Sequence, residues 1–214
     1  SPDGMMVAYQ LRETDLEANK GKTDLYMLKL GATGAQPAMF ASKPDKNEHD
    51  PAFAPDGKSI FYISNESGSD QIWRYDIASA TATQASNFKT DVSGFKISPD
   101  GLKFAIWGDI ARDCMEFGCA KDGDTTKPGA GSGREYDQLM TRHWDQWETP
   151  GNYSRVFTVV LRADGKLGTL STAMDGDLVG DAPSKPFGGG DEISWSADSS
   201  AVLFALRHAD ANEA

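Results

Sequence analysis

One four-residue phrase recurs along the chain. It appears as Ser1-Pro2-Asp3-Gly4, Ala54-Pro55-Asp56-Gly57, Ser98-Pro99-Asp100-Gly101 and the diverged Ser196-Ala197-Asp198-Ser199, each ahead of an apolar run. Proline presets φ for the first corner of a turn, aspartate bonds to nearby backbone, and glycine accepts φ > 0. The phrase therefore predicts a tight turn joining two antiparallel strands. Six and eight residues beyond each opening residue stand Val7 and Tyr9, Ile60 and Tyr62, Phe104 and Ile106, Val202 and Phe204, which predict one inward column. The positions between them, Ala8, Phe61, Ala105 and Leu203, are apolar as well. A strand apolar on both faces is one covered on two sides.

The phrases open at 1, 54, 98 and 196, giving units of 53, 44 and 98 residues, against roughly 40–50 for a four-stranded propeller blade. Units built of turns and short strands favour radial repeats over helical solenoids. The fold class predicted is all-β: a partial β-propeller of four-stranded antiparallel blades, three to four of them present, with one helical insertion. In the plain second unit, strands are expected at 59–63, 71–77 and 83–86, and 92–97 opens the next blade. The first unit repeats this with 6–11, a loop at 13–22, then 24–30 and 37–41; the third has 103–108, 155–161 and 166–171. Residue 1 stands in a hairpin turn and 201–207 reads as a blade strand. Both ends are thus expected to cut through blades, making 1–214 a fragment of a single propeller domain whose partners include the rest of that propeller.

The excess length of the third unit lies in 109–154, read as an insertion within one blade. Ser132-Gly133-Arg134-Glu135 has the form of a capping box, and Tyr136, Leu139, Met140, His143, Trp144 and Trp147 follow at helical spacing before Pro150-Gly151. A helix is expected over about 134–148. Its stripe reads first as a packing face and second as an aromatic wall for substrate. Arg142, Asp145 and Glu148 lie on the opposite face, where arginine forks onto carboxylates and acids pair with ammonium groups. The substrate-contact candidates are accordingly Arg142, Trp144, Asp145, Trp147 and Glu148.

Cys114 and Cys119 sit five apart in a polar loop. A local disulfide is expected, with a pair of reduced thiols as the alternative. Zinc would need two further ligands, which His143 does not supply. Asp122-Gly123-Asp124, and Asp175-Gly176-Asp177 with Asp181, invite calcium, but turn chemistry accounts for Asp-Gly pairs and neither matches a full calcium loop. No metal and no cofactor is expected. The formal charge of −11 argues against a nucleic-acid groove, and there is no apolar run long enough to cross a bilayer.

The segment Tyr136-Asp-Gln-Leu-Met-Thr-Arg-His-Trp-Asp-Gln-Trp-Glu148, with Ser154-Arg-Val-Phe157, Pro186-Phe-Gly-Gly189 and Ile193-Ser-Trp-Ser-Ala-Asp198, resembles the N-terminal propeller of bacterial prolyl oligopeptidase-family serine peptidases. The branch it resembles is that of dipeptidyl-aminopeptidases and acylaminoacyl peptidases. The repeated turn is shared with TolB-type propellers; the run Arg142-His-Trp-Asp-Gln-Trp147 is more selective. The resemblance implies a propeller that caps a separate α/β-hydrolase domain, restricts access to short or unfolded peptides, and helps hold the substrate's N-terminal end. No catalytic residue is assigned here. Gly129-Ala-Gly-Ser-Gly133 has its serine one place late for a nucleophile elbow, and nothing positions His49, His143 or His208 in a triad. The Glu-Glu dipeptide by which dipeptidyl-peptidase members grip the amine is absent from the sequence, which leaves strict dipeptidyl-peptidase specificity unsupported. Two functions follow: a non-catalytic propeller portion of a serine peptidase, gating and positioning short peptides, or a TolB-like periplasmic module that binds proteins. A periplasmic or secreted location fits both, with a cytoplasmic one left open.

Overall fold

The four turns are built alike. In each, the amide of the fourth residue donates to the carbonyl of the first: Gly4 to Ser1 at 3.0 Å, Gly57 to Ala54 at 2.9 Å, Gly101 to Ser98 at 2.8 Å and Ser199 to Ser196 at 2.9 Å. The fourth residue is left-handed every time, with φ of +70, +69, +73 and +59°. Ser199 adopts that conformation without the freedom of glycine, which costs a side-chain-bearing residue about 1–2 kcal/mol. Each aspartate accepts the amide two residues on. At the fourth turn the hydroxyls of Ser196 and Ser200, then the Ser200 amide, hold the Asp198 carboxyl down to about 2.

The computed structural model describes residues 1–31, 33–119, 142–143, 146–149 and 151–209. Strands β1 (Met6–Asp15), β2 (Lys20–Lys29) and β3 (Ala38–Ala41) form a first antiparallel sheet; β4 (Glu48–Phe53), β5 (Ser59–Ser64), β6 (Gln71–Asp76) and β7 (Thr81–Gln84) form a second. A third sheet combines β8 (Gly94–Ile97) and β9 (Lys103–Ala111) with strands from beyond the insertion. Within the insertion, β10 (Arg142–His143) pairs with β11 (Gln146–Trp147); β12 (Asn152–Leu161) and β13 (Leu167–Ala173) then complete the order β13-β12-β9-β8. Last come β14 (Gly180–Asp181), β15 (Ile193–Trp195), β16 (Val202–Phe204) and β17 (Arg207–His208), paired as β14-β17 and β15-β16.

The recurring turn joins β4 to β5, β8 to β9 and β15 to β16. Hence β1, which follows the first copy, is the counterpart of β5. The first strands of successive sheets are neighbours, β4 beside β8 and β8 beside β15. The turns touch in the same succession, since the Asp100 amide donates to Ser199 Oγ at 3.0 Å and Lys103 Nζ to the Ser199 carbonyl at 2.8 Å. This is the radial order of propeller blades.

Side chains alternate between the two seams each blade shares. On β5, Ile60 and Tyr62 face the first sheet with Leu25 and Tyr75, while Phe61 and Ile63 face the third with Ile72, Phe104 and Phe157. On β9, Phe104 and Ile106 face back, and Ala105 and Trp107 face forward onto Ala182 and Ile193. After the second, third and fourth copies of the phrase, the column six and eight residues past its opening residue therefore points to the preceding blade. Every residue of β5 is buried, and each large side chain so placed contributes about 1.5–3 kcal/mol.

Two expectations are corrected. The loop at 13–22 is a ladder that runs out to Asp15 opposite Lys20. The helix over 134–148 is not present where its C-terminal part is described: Arg142 pairs with Trp147 and His143 with Gln146 in an antiparallel ladder. Residues 134–141, 144 and 145 lie outside the described residues. The physical reason is that an aromatic side chain such as Trp147 suits a pleated ribbon as well as a helix, and the ribbon brings the Arg142 guanidinium to 5.2 Å from the Trp147 ring centre. No helix among the described residues is long and apolar enough to cross a membrane.

Candidate functional site

The insertion springs from the far ends of β9 and β12, where Ala111 stands opposite Asn152. That is the rim opposite the recurring turns, since successive strands run antiparallel. Its root is held by a buried cation. Arg155, on β12, is 1% exposed and forks onto Asp175 through Nε at 2.6 Å and Nη2 at 3.0 Å. Its Nη1 donates to the carbonyls of Ala111 at 2.9 Å and Cys114 at 2.6 Å. Both Asp175 oxygens are thereby engaged by the guanidinium. Such a pair is tolerated inside a fold only when the remaining donors are met, as they are here.

Cys114 and Cys119 are joined by a disulfide. The short loop it closes turns Phe117 inward, where its ring packs edge-on against Phe88 at 5.0 Å and Phe157 at 5.5 Å between centroids. The start of the insertion is thus part of the core. Its return is tied to the next connection by Lys185, whose ammonium lies 2.9 Å from Asp109 Oδ1, 3.3 Å from Glu148 Oε2 and 3.5 Å from Asp181 Oδ1. Burial works against the charged form of Lys185, but the carboxylates outweigh it and raise its pKa above the ordinary lysine value. Burial pushes the Asp181 carboxyl up, against the Ser154 amide and Lys185.

The sequence-derived candidates are placed as follows. Arg142 and Trp147 meet across the β10–β11 ladder, with Trp147 half exposed. Glu148 is a strut on Lys185. Trp144 and Asp145 lie outside the described residues. Sequence reasoning missed Lys185, Asp109 and the Arg155–Asp175 pair as organisers of the rim. A signal for the last existed: Arg155 is a lone charge at the head of the uncharged stretch Val156-Phe157-Thr158-Val159, and a buried charge needs a partner.

Beside Lys185 lies a cleft of about 490 Å³ lined by Ser184, Lys185, Pro186, Phe187, Glu192 and Arg207 among others. Through Lys185 it adjoins Asp109 on β9 and Glu148 after the insertion ladder.

No family model matches the chain. Over 209 residues, 97% of the chain, it is 30% identical to dipeptidyl-peptidase 5 of Porphyromonas gingivalis, and the match spans 28% of that relative. The structure superposes on TolB from Acinetobacter baumannii with a TM-score of 0.55 at 16% identity, covering 98% of the chain and 37% of TolB. On acylaminoacyl peptidase from Pyrococcus horikoshii the TM-score is 0.52 at 15% identity, covering 84% of the chain and 25% of the peptidase. The two superpositions agree with the propeller architecture. The chain spans well under half the length of each of these proteins.

Proposed function

From a chain that belongs with the propellers of prolyl oligopeptidase-family serine peptidases, we infer that it serves as the non-catalytic, gating portion of a dipeptidyl- or oligopeptide-cleaving enzyme. A separate α/β-hydrolase domain of the same parent protein supplies the nucleophile. The observation that carries this reading is the rim itself: a ladder presenting Arg142 and Trp147, fixed at its root by Arg155 and at its return by Lys185. A rigid, aromatic-bearing projection on one face of a blade ring excludes folded proteins and orients a short chain over a reacting group, which is how positioning lowers a barrier. An exported setting, periplasmic or secreted, is supported by the Cys114–Cys119 bond, since disulfides persist in oxidising compartments.

The test uses the full-length polypeptide that contains these residues. Labelling of one serine by a fluorophosphonate, together with release of short N-terminal fragments from peptides but not from folded proteins, is the expected result. In that enzyme Trp147→Ala raises KM about tenfold with kcat little changed, as loss of uniform binding does. Absence of both labelling and cleavage removes the peptidase reading and leaves a protein-binding propeller in its place.

A further inference from the structure

The cleft beside Lys185 is open to solvent, but its wall is a loop fixed by hydrogen bonds. The loop that forms it turns back on itself, with the Gly188 amide bonded to the Ser184 carbonyl. The Ser184 amide donates to Glu192 Oε2 at 2.7 Å, and Arg207 Nη1 donates to the Lys185 carbonyl at 2.7 Å. A side chain at Gly188 would collide with Ser184 and Glu192, so the tight return needs glycine there. The loop so fixed holds the Phe187 ring outward, 83% exposed at the mouth of the cleft. Its size falls within the roughly 300–1,000 Å³ of small-ligand sites.

The charges of the cleft are unequal in their commitments. Lys185 lines it, and its ammonium is held by Asp109, Glu148 and Asp181. Glu192 accepts the Ser184 amide. Among the described residues Arg207 forms no ion pair; its recorded bond is the one to a neutral carbonyl. The charge left for an incoming group to meet is therefore a guanidinium, in a chain of net charge −11. An exposed aromatic ring next to an uncompensated arginine fits a ligand with a flat apolar part and a carboxylate. Glu148, which follows the insertion ladder, ties that ladder to the cleft through Lys185.

We propose that the Phe187–Arg207 cleft is a peptide subsite that takes an aromatic side chain against Phe187 and a carboxylate on Arg207. This rests on the peptide-binding role given to the rim above. The carboxylate comes from a chain terminus or from an acidic side chain. The full-length polypeptide, treated with fluorophosphonate so that only binding is read, is titrated calorimetrically with Gly-Ala-Phe, its C-terminal amide, Gly-Ala-Gly and Gly-Phe-Asp-amide. Gly-Ala-Phe is expected to bind about fivefold tighter than Gly-Ala-Gly, as an aromatic pair provides. It is also expected to bind about tenfold tighter than its own amide, as a charge-assisted bond provides. Phe187→Ala, at an exposed position, erases the first difference; Arg207→Gln erases the second, while Arg207→Lys, which keeps a donor for the Lys185 carbonyl, retains part of it. An acid preference shown by Gly-Phe-Asp-amide instead assigns the carboxylate to a side chain. Affinities unchanged across all variants overturn the proposal even if the enzyme cleaves peptides. Discrimination that persists in a polypeptide no fluorophosphonate labels upholds the subsite and removes the peptidase reading.

Discussion

Asp175→Ala tests the root of the insertion. The change leaves Arg155, 1% exposed, with a buried positive charge that meets carbonyl oxygens and the Phe157 ring but no carboxylate. Stranding one member of a buried pair costs about 3–5 kcal/mol. For a unit of this size that corresponds to a fall in melting temperature of roughly 6–20 °C. Arg155→Met with Asp175→Leu removes both charges at similar volume, and the double variant is expected to recover most of the loss, because desolvation then has no uncompensated charge. The carbonyls of Arg112 and Cys114 still lose this donor, while that of Ala111 keeps the Cys114 amide, so full recovery is not expected. Urea unfolding of the full-length polypeptide, followed by tryptophan fluorescence, supplies all the values of the cycle. A loss below about 1 kcal/mol for Asp175→Ala, or a double variant as unstable as the sum of the singles, would refute the reasoning.

Three further outcomes follow from other parts of the fold. Burial, opposed by the Ser64 hydroxyl, raises the Glu48 carboxyl pKa; a folded-state pKa above the unfolded one means a contribution present in acid and lost as pH rises through the folded value. Glu48→Gln should therefore gain on the parent as pH climbs from 4 to 8 in paired unfolding curves, and parallel curves would contradict the assignment. Reducing Cys114–Cys119 should lower stability by about 2 kcal/mol for so short a loop, read as a shift in the urea midpoint with and without reductant; an unmoved midpoint would count against it. Gly101→Ala, at φ +73° with the Pro55 ring 3.5 Å from the new methyl, should cost about 1–2 kcal/mol, and an unchanged melting temperature would show that the turn tolerates a side chain.

What could be read in the residues was local chemistry that repeats. Proline, aspartate and glycine act on their own backbone, so the turns, the strands after them and the two-sided burial of β5 and β9 were visible from spacing. The first strand of the second blade was not, because Pro51 and a bulge between His49 and Ala52 break its alternation. The insertion misled for a related reason. A few aromatic residues at spacings of one, three and four fit a helix and a ribbon alike, and the choice between them at 142–147 rests on a contact between Arg142 and Trp147. Arg155 with Asp175, and Lys185 with Glu148 and Asp109, join residues 20, 37 and 76 positions apart; pairings at such range leave no periodic trace. Of the site, then, the candidates Arg142, Trp147 and Glu148 were named from position in an insertion, whereas the groups that hold them in place became apparent only in three dimensions.

The central claim is that the rim carrying the insertion ladder meets a peptide. A photo-crosslinking amino acid placed at 147 in the full-length polypeptide, and in a parallel sample at the exposed outer-strand position 170, measures this directly. Capture of a short peptide at 147 and not at 170 is predicted. Equal capture at both, or capture at 170 alone, would contradict the account.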